Sequence, residues 1–155
     1  MLTEGSKAPA FSGLDQDGNK VSLKDFKGKK LVIYFYPADD TPACTTQACN
    51  LRDNYALLRK EGFEILGISP DEIKAHKKFQ VKFSLPFTLI ADPEHKIIEK
   101  FGVWGEKQLY GRKYVGLLRT TFVLDEKGVI RKVFARPKNK AHAEEIIGAW
   151  KDGQL

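Results

Sequence analysis

Residues 31–49, LVIYFYPADDTPACTTQAC, contain the change of pattern that decides the fold of this chain. Residues 31–37 are almost entirely apolar and end in a proline, which is typical of a central strand covered on both faces. Beyond them, Thr41 is a favourable helix N-cap and Pro42 suits the first helical position, while Gly62 can end a helix in the left-handed conformation. We therefore predict a buried strand at residues 31–37 followed by a helix at residues 41–62.

The rest of the chain continues this alternation, without an internal repeat or a linker. Apolar periodicity predicts two further buried strands and three further helices, at residues 63–69 and 86–92 and at residues 71–83, 93–101 and 141–150. Two extended runs on either side of a turn at residues 126–128 predict an antiparallel hairpin. Upstream, the Asp17-Gly18 turn signal between two short extended runs predicts another hairpin.

This order of elements is that of an α/β protein with a thioredoxin-like fold. We expect a central mixed β-sheet flanked by helices, with an N-terminal β-hairpin extension. At 155 residues the chain is long enough to bury a hydrophobic core as one unit, so we expect residues 1–155 to form a single domain.

Composition and charge exclude several classes of function. The chain carries 26 lysine and arginine residues against 20 aspartate and glutamate, a net charge of +6. Its lysines lie in short interrupted clusters, which is typical of solvated faces, and no nucleic-acid-binding motif accompanies them. No segment approaches the roughly 18 apolar residues of a membrane span, and the N-terminus lacks a secretory pattern. We therefore expect a cytoplasmic protein that binds neither nucleic acid nor membrane.

Cys44 lies in the first turn of the predicted helix, directly after a buried strand. Free backbone N–H groups and the helix dipole stabilise an anion there, and the thiolate is the nucleophilic form of cysteine. If Thr41 is the N-cap, Cys44 is the third helical residue and its sulfur can fold back toward those donors. The alternative is a small buried apolar residue on the helix face that also carries Ala48 and Leu51. The presence of a second cysteine nearby favours the nucleophile.

Helix geometry separates that second cysteine, Cys49, from Cys44. Five residues advance a helix by about 500° and rise by about 7.5 Å, which puts the two Cα atoms roughly 8–9 Å apart. A disulfide tolerates at most about 7 Å. A bond between the two cysteines would therefore require at least one turn of the helix to unwind.

Three alternative roles for the two cysteines fit the sequence less well. Structural zinc normally has four ligands, and the three histidines, at positions 76, 95 and 142, are scattered along the sequence. A thioredoxin-type reductase has a Cys-x-x-Cys motif, whereas the spacing here is Cys-x-x-x-x-Cys. A cysteine hydrolase needs a histidine base, and no flanking motif marks one. We therefore expect neither a metal nor a cofactor at this site.

The segment Pro37-x-x-x-Thr41-x-x-Cys44 resembles the active-site signature of the peroxiredoxins, a family of the AhpC/TSA type. The longer stretch TPACTTQAC is similar to the bacterioferritin comigratory protein, or peroxiredoxin Q, subgroup, as are FGVWGEK at residues 101–107 and RTTFVLD at residues 119–125. The similarity covers nearly the whole chain. It implies an atypical two-cysteine thiol peroxidase that reduces hydrogen peroxide and organic hydroperoxides.

The resemblance also implies a role for each residue of the motifs. Cys44 would be the peroxidatic nucleophile that becomes a sulfenic acid, and Cys49 the resolving cysteine that condenses with it to an intramolecular disulfide. Thr41 would hold the peroxide and the thiolate by hydrogen bonds, and Pro37 would shield the pocket from water. Arg119 would stabilise the thiolate and the polarised O–O bond. Taken by itself, Arg119 is better explained as a surface ion-pair partner, and only its place in RTTFVLD reverses that interpretation.

Two positions depart from the commonest pattern of the subgroup. Ala43 stands where a glycine usually precedes the cysteine, and Ala38 stands where a lysine often follows the proline. Alanine is compatible with helical dihedrals, so Ala43 should stiffen the first turn slightly and slow its unwinding.

Several residues near these motifs have no role that the pattern assigns. Asp39 and Asp40 are expected to serve the turn or the solvent, and Gln47 is close to the site in sequence only. Residues 101–114 are expected to form a glycine-rich loop. Its aromatic residues, including Trp104, either border the active site or cap the core.

The resemblance implies partners as well as chemistry. The substrate would be a hydroperoxide, the reductant thioredoxin or a related dithiol protein, and the usual state a monomer, with a dimer as the alternative. Two functions of other classes remain open. The two cysteines could act as a redox sensor or thiol–disulfide exchange partner without turnover, or the same fold could serve as a holdase-like binding module.

Overall fold

A seven-stranded mixed β-sheet organises the computed structural model, which describes residues 1–153, with the backbone alone at position 109. The strands in the described residues are β1 (Ser12–Asp15), β2 (Lys20–Ser22), β3 (Lys30–Phe35), β4 (Phe63–Ser69), β5 (Thr88–Ala91), β6 (Trp104–Leu109), β7 (Arg112–Leu117), β8 (Thr120–Leu124) and β9 (Ile130–Phe134). The order in the large sheet is β2-β1-β5-β4-β3-β8-β9. Strands β3, β4 and β5 are parallel and the flanking strands are antiparallel.

The helices cover both faces of this sheet. They are α1 (Pro42–Asp53), α2 (Tyr55–Lys60), α3 (Ile73–Phe83), α4 (Lys96–Phe101) and α5 (His142–Lys151). Helices α1, α2, α3 and α5 contribute to one core, which we call the α1-side core, and α4 contributes to the other, the α4-side core. The predicted α/β architecture, a central mixed sheet flanked by helices, is confirmed.

The apolar run is buried from residue 31 to residue 36 because β3 lies between β4 and β8, whereas Pro37, beyond the strand, is partly buried. Its side chains alternate between the two faces of the sheet, as in any strand. Leu31, Ile33 and Phe35 pack into the α4-side core, whereas Val32, Tyr34 and Tyr36 pack into the α1-side core. The chain therefore leaves the middle of the sheet and enters α1 at the carboxyl end of a fully buried strand.

The prediction of one helix at residues 41–62 is wrong at one point, because the helix is interrupted at Asn54 (φ −110°, ψ 8°). The side-chain amide of Asn54 donates to the carbonyl oxygen of Asn50 at 2.9 Å. Such a local side-chain hydrogen bond competes with the helical backbone bonds and ends α1. Asn50 is itself tied to the start of α5, since its Oδ1 accepts from the Ala143 N–H at 2.7 Å. The second half of α1 is thus anchored to α5.

One further expectation is changed by the structure. The residues expected to form a glycine-rich loop instead form the antiparallel hairpin β6–β7, with a turn at Tyr110 and Gly111, both at positive φ. The N-terminal hairpin β1–β2 forms as predicted and extends the central sheet, because β1 also pairs with β5. Among residues 1–153, no helix is both long enough and apolar enough to cross a membrane.

Candidate active site

The loop after β3 turns the chain into α1 so that the first helical turn lies over the α1-side core. Thr41 is the N-cap, with extended dihedrals, and Pro42 is the first helical residue. Hydrogen bonding within the helix begins with the Thr45 N–H, which donates to the Thr41 carbonyl oxygen at 2.8 Å. The N–H groups of Ala43 and Cys44 therefore have no acceptor within the helix and are available to an anion.

Cys44 is the third residue of α1, as predicted, and only 1% of it is exposed. Its sulfur is not a plain member of the core, because Arg119 Nη2 lies 3.0 Å from Cys44 Sγ and donates a hydrogen bond to it. The guanidinium is a permanent positive charge and a fixed donor. The sulfur thus lies at a helix N-terminus with a guanidinium against it, so that fixed donors and positive charge face any negative charge that develops there.

Arg119 reaches this sulfur because it lies in the short connection between β7 and β8. The backbone on its N-terminal side is fixed by a hydrogen bond of 2.7 Å from the Leu118 N–H to the Val103 carbonyl oxygen. On its other side, the Thr120 hydroxyl donates to the Leu118 carbonyl oxygen at 2.9 Å. Because β8 pairs with β3, the β7–β8 connection that holds Arg119 lies beside the carboxyl end of β3, where the chain leads into α1.

Gln47 holds the other arm of the guanidinium. Arg119 Nη1 donates to Gln47 Oε1 at 2.7 Å, and Gln47 is fully buried, one turn along α1 from Cys44. Gln47 Nε2 is buried and has no hydrogen-bond partner within the part of the chain that the structure describes. The sequence reasoning gave Gln47 no role, although its spacing of three residues from Cys44 puts both side chains on neighbouring positions of a helix surface.

Thr41 does not use its side chain as a helix cap. Its hydroxyl donates to the Ala38 carbonyl oxygen at 2.9 Å. A hydroxyl has one proton and two acceptor lone pairs, so Thr41 Oγ1 can still accept a hydrogen bond. Pro37 is partly buried in the same loop, directly after Tyr36. Loop 37–41 therefore supplies an acceptor and an apolar ring at the start of the helix that carries Cys44.

Cys49 lies in the same uninterrupted helix as Cys44, and both cysteines are free thiols. Cys49 is partly exposed, whereas Cys44 is buried. Because α1 is continuous from Pro42 to Asp53, the separation expected from helix geometry applies, and the two sulfurs do not face each other. The described conformation is that of an ordered helix with a reduced Cys44.

Two buried tyrosines lie beneath the first turn of α1, in the same core as Cys44. Burial, reinforced by the negative charge of Asp39, raises the pKa of Tyr34 well above its usual value. Burial also raises the pKa of Tyr36, with Tyr34 and Asp39 adding to the effect. Both phenols therefore remain neutral and add no charge beneath the Cys44 sulfur.

Of the two roles expected for Asp39, the turn or the solvent, its side chain does not take the second. Its side chain is 6% exposed, with Oδ2 2.6 Å from Nδ1 of the fully buried His76 and Oδ1 2.6 Å from the Tyr36 hydroxyl. Asp40 is the exposed member, 2.7 Å from Lys82 Nζ. A partner 37 residues away in sequence explains why the pattern around Asp39 gave no sign of this contact.

The same cluster is the one place in the described residues where donor atoms are spaced closely enough to hold a metal ion. Donor atoms of Asp39, Asp71 and His76 lie within 4.8 Å of one another. Their donor atoms are already engaged: Asp71 Oδ2 accepts from the Asp39 N–H at 2.8 Å and from Ser69 Oγ at 2.7 Å. The hydrogen bonds account for the cluster without an ion.

Comparison with known protein sequences identifies the family. The AhpC/TSA family model matches residues 5–133. Peroxiredoxin Bcp of Escherichia coli strain K12 is 44% identical over 151 residues, which cover 97% of this chain and 97% of that protein. Peroxiredoxin Bcp of Bacillus subtilis strain 168 is 43% identical over 148 residues, covering 96% and 94% of the two chains.

Solved structures agree with the sequences. The bacterioferritin comigratory protein of Xanthomonas campestris, studied for its alkyl peroxide reduction activity, superposes with a TM-score of 0.86 at 32% identity, covering 94% of this chain and 92% of that one. A cysteine-to-serine mutant of Xylella fastidiosa PrxQ superposes with a TM-score of 0.91 at 25% identity, covering 100% and 99%. The chain therefore belongs to the AhpC/TSA family, as a peroxiredoxin of the Bcp/PrxQ type with the thioredoxin-like fold that its sequence predicted.

Proposed function

We propose that this chain is a thiol peroxidase in which Cys44 reduces hydrogen peroxide and organic hydroperoxides. The observation that carries the proposal is the hydrogen bond from Arg119 Nη2 to Cys44 Sγ at 3.0 Å. It places a permanent cation and a directed donor against a buried sulfur at a helix N-terminus. Such a sulfur is activated as a nucleophile, and the same donors can stabilise charge that develops on an attacked group.

In the first step, the Cys44 thiolate attacks the nearer oxygen of the hydroperoxide. The O–O bond breaks, the attacked oxygen stays on sulfur as a sulfenic acid, and the other oxygen leaves as an alkoxide or hydroxide that takes up a proton. The sulfur is oxidised by two electrons and the peroxide is reduced by two. The leaving oxygen carries negative charge, which the Arg119 guanidinium and the free N–H groups at the start of α1 stabilise.

Loop 37–41 positions the substrate in this proposal. The Thr41 hydroxyl donates a hydrogen bond to the Ala38 carbonyl oxygen. Its oxygen therefore accepts from the hydroperoxide O–H and turns the O–O bond toward the sulfur. Pro37 covers the loop side of the site with an apolar ring and lowers the access of water. Exclusion of water strengthens each of these electrostatic contacts.

Cys49 then resolves the oxidised sulfur. Its thiol attacks the Cys44 sulfenic acid, an S–S bond forms, and the oxygen leaves as water. Because both cysteines lie in one continuous helix, this bond requires the first turns of α1 to unwind. A dithiol protein of the thioredoxin type completes the cycle by exchange, since it returns two electrons to the disulfide and leaves as a disulfide itself.

We further propose that the unit of activity is one chain, folded as a single domain over residues 1–155. The nucleophile, the resolving cysteine and the arginine all come from the same chain, and β1 and β9, near the two ends of the described residues, belong to one sheet. A site of this kind is complete in a monomer. Light scattering on the reduced protein at micromolar concentration would distinguish a monomer from a dimer.

The function is tested by peroxide turnover with thioredoxin and its reductase. We expect catalytic consumption of peroxide by the wild type and none by Cys44→Ser. Cys49→Ser should still take up one oxygen atom on Cys44, which mass spectrometry detects, but should not turn over with thioredoxin. With a small thiol reductant in place of thioredoxin, Cys49→Ser should recover turnover, because small thiols can reach the sulfenic acid without the resolving cysteine.

Each rival function predicts a different outcome of the same assay. A redox sensor would consume peroxide only in stoichiometric amount, even with the full reducing system present. A binding module would consume none. Full peroxidase activity in Cys44→Ser would overturn the assignment of the nucleophile.

A further inference from the structure

His76 is a fully buried histidine whose two ring nitrogens both face hydrogen-bond acceptors. Nε2 lies 3.0 Å from the carbonyl oxygen of Ile90 in β5, and Nδ1 lies 2.6 Å from Asp39 Oδ2. A carbonyl oxygen can only accept a hydrogen bond, so Nε2 carries a proton. That proton points to the Ile90 carbonyl oxygen in β5. The contact between Nδ1 and Asp39 Oδ2 therefore needs a second proton.

The contact between Nδ1 and Asp39 Oδ2 has the length of a charge-assisted hydrogen bond, with the proton on either group. The Tyr36 hydroxyl donates to the other oxygen, Oδ1, because its pKa is raised by burial and it stays protonated. While it donates to Oδ1, the Tyr36 hydroxyl does not also accept a hydrogen bond from a proton on that carboxyl oxygen. Without the shared proton, a buried carboxylate would face a nitrogen lone pair, which is strongly unfavourable.

Asp39 lies in the middle of loop 37–41, which joins β3 to α1. Through its backbone N–H it is also fixed to Asp71 Oδ2 at 2.8 Å, in the turn after β4. The Thr41 hydroxyl is bonded to the residue just before Asp39 in the same loop. The position of Asp39 therefore determines the position of the loop, and with it the positions of the Pro37 and Thr41 side chains.

We propose that Asp39 and His76 are a positioning pair, and that the single proton they share fixes the loop of Pro37 and Thr41 against α3. The pair does not touch the peroxide and acts through Thr41. This inference rests on the peroxidase function proposed above. Loss of His76 frees the loop and lowers the rate at which Cys44 is oxidised.

The charged and titratable groups that face this pair come from three elements. Tyr36, at the end of β3, also lies 3.5 Å from His76 Nδ1, and Asp71 meets the backbone of Asp39. On the outer side of the loop, Lys82 of α3 pairs with Asp40, but both are about half exposed and screened by solvent. Strand β5 presents only the Ile90 carbonyl oxygen to the ring.

The test is the second-order rate constant for oxidation of Cys44 by hydrogen peroxide, measured in a single turnover without reductant. In His76→Leu the Asp39 carboxylate is left buried and unpaired, and we expect the rate at neutral pH to fall at least about tenfold. Asp39→Asn is the conservative counterpart, because its Nδ2–H can donate to a neutral Nδ1 while Oδ1 still accepts from Tyr36. It should therefore keep most of the wild-type rate, because the hydrogen bond that fixes the loop is kept.

His142→Leu is the matched control for loss of stability. His142 is another fully buried histidine paired with a carboxylate, 2.6 Å from Glu145 Oε1, but on α5. Its replacement should lower the unfolding midpoint and leave the rate of Cys44 oxidation unchanged. A purely structural role for His76 would give the same result as this control.

Several outcomes overturn the inference. A folded Asp39→Asn whose rate falls at least about tenfold would do so, because this variant keeps the hydrogen bond between loop and histidine. A folded His76→Leu with the wild-type rate is equally decisive, and if that variant does not fold, the Asp39→Asn rate still decides. A wild type that does not react with peroxide at all contradicts the proposed function itself, and the inference falls with it.

Discussion

Arg119 Nη2 lies 3.0 Å from Cys44 Sγ, although the two residues are 75 positions apart in the chain. The planar guanidinium meets the sulfur and Gln47 at once, which a lysine ammonium on a flexible stem does not reproduce. We therefore expect Arg119→Lys to lower kcat/KM for hydroperoxides by about 10²–10³, the usual cost of removing one preorganised donor. Arg112→Lys, at an exposed position of β7, is the matched control and should leave kcat/KM unchanged. Equal values for the two variants would remove Arg119 from the mechanism.

Gln47 should affect activity through Arg119. In Gln47→Met the side chain keeps its length but loses the acceptor that orients the guanidinium. We therefore expect the rate of Cys44 oxidation to fall by about tenfold, or about 1.4 kcal/mol. Single-turnover peroxide kinetics check this effect, and a wild-type rate in Gln47→Met would contradict it.

The unwinding of α1 should stop at a defined residue. Disulfide formation requires the first turns to open, whereas Asn50 is held by the start of α5. In the oxidised protein we expect faster amide hydrogen exchange at residues 43–49 and unchanged exchange from Leu51 to Asp53 and throughout α3. Peroxide-treated Cys49→Ser is the control, since it is oxidised without forming the bond and should keep the reduced pattern. Equal protection of residues 43–49 in the two redox states would reject the unwinding.

The lowered pKa of Glu145 predicts that part of the free energy of unfolding is lost at acid pH. Burial alone would raise its pKa, but hydrogen bonds from His142 and from the Lys138 N–H outweigh burial and hold the pKa below its usual value of 4.5. A carboxyl whose pKa is lower in the folded state binds more protons when unfolded, so its stabilisation is present above the unfolded pKa and lost as pH falls through the folded one. Glu145→Gln should therefore be less stable than the wild type at about pH 6, and the difference should shrink at about pH 3. Denaturant unfolding at both pH values checks this, with the exposed Glu99→Gln as a control whose difference stays constant.

The sequence predicted what depends on local pattern. The strand at residues 63–69 and the helix start at Thr41 follow from apolar periodicity and capping chemistry, and both appear where they were expected. The interruption at Asn54 was missed because it depends on a hydrogen bond between the Asn54 side-chain amide and a backbone carbonyl oxygen. Such a bond competes with the helical conformation. The β6–β7 hairpin was missed because its glycines, which also suit loops, obscured the alternation of its strands.

The residues of the candidate site also divide into those that the local sequence predicts and those that it does not. Cys44 could be found from its place at a helix start, which is a local property. Arg119 was found only through the family motif, because nothing nearby in sequence says which distant sulfur a guanidinium will meet. The contact between Asp39 and His76 was invisible for the same reason, since burial and pairing are decided by how α3 packs on the sheet.

The alternation of side chains along β3 has a mechanical consequence if α1 unwinds as proposed. The buried residues of α1 pack on one side of the sheet, while Phe11, Phe101 and Phe122 pack on the other. The sheet separates the two cores, so we expect local unfolding of the first turns of α1 to leave the α4-side core intact. The helix could then refold on an ordered sheet after each reduction of the disulfide.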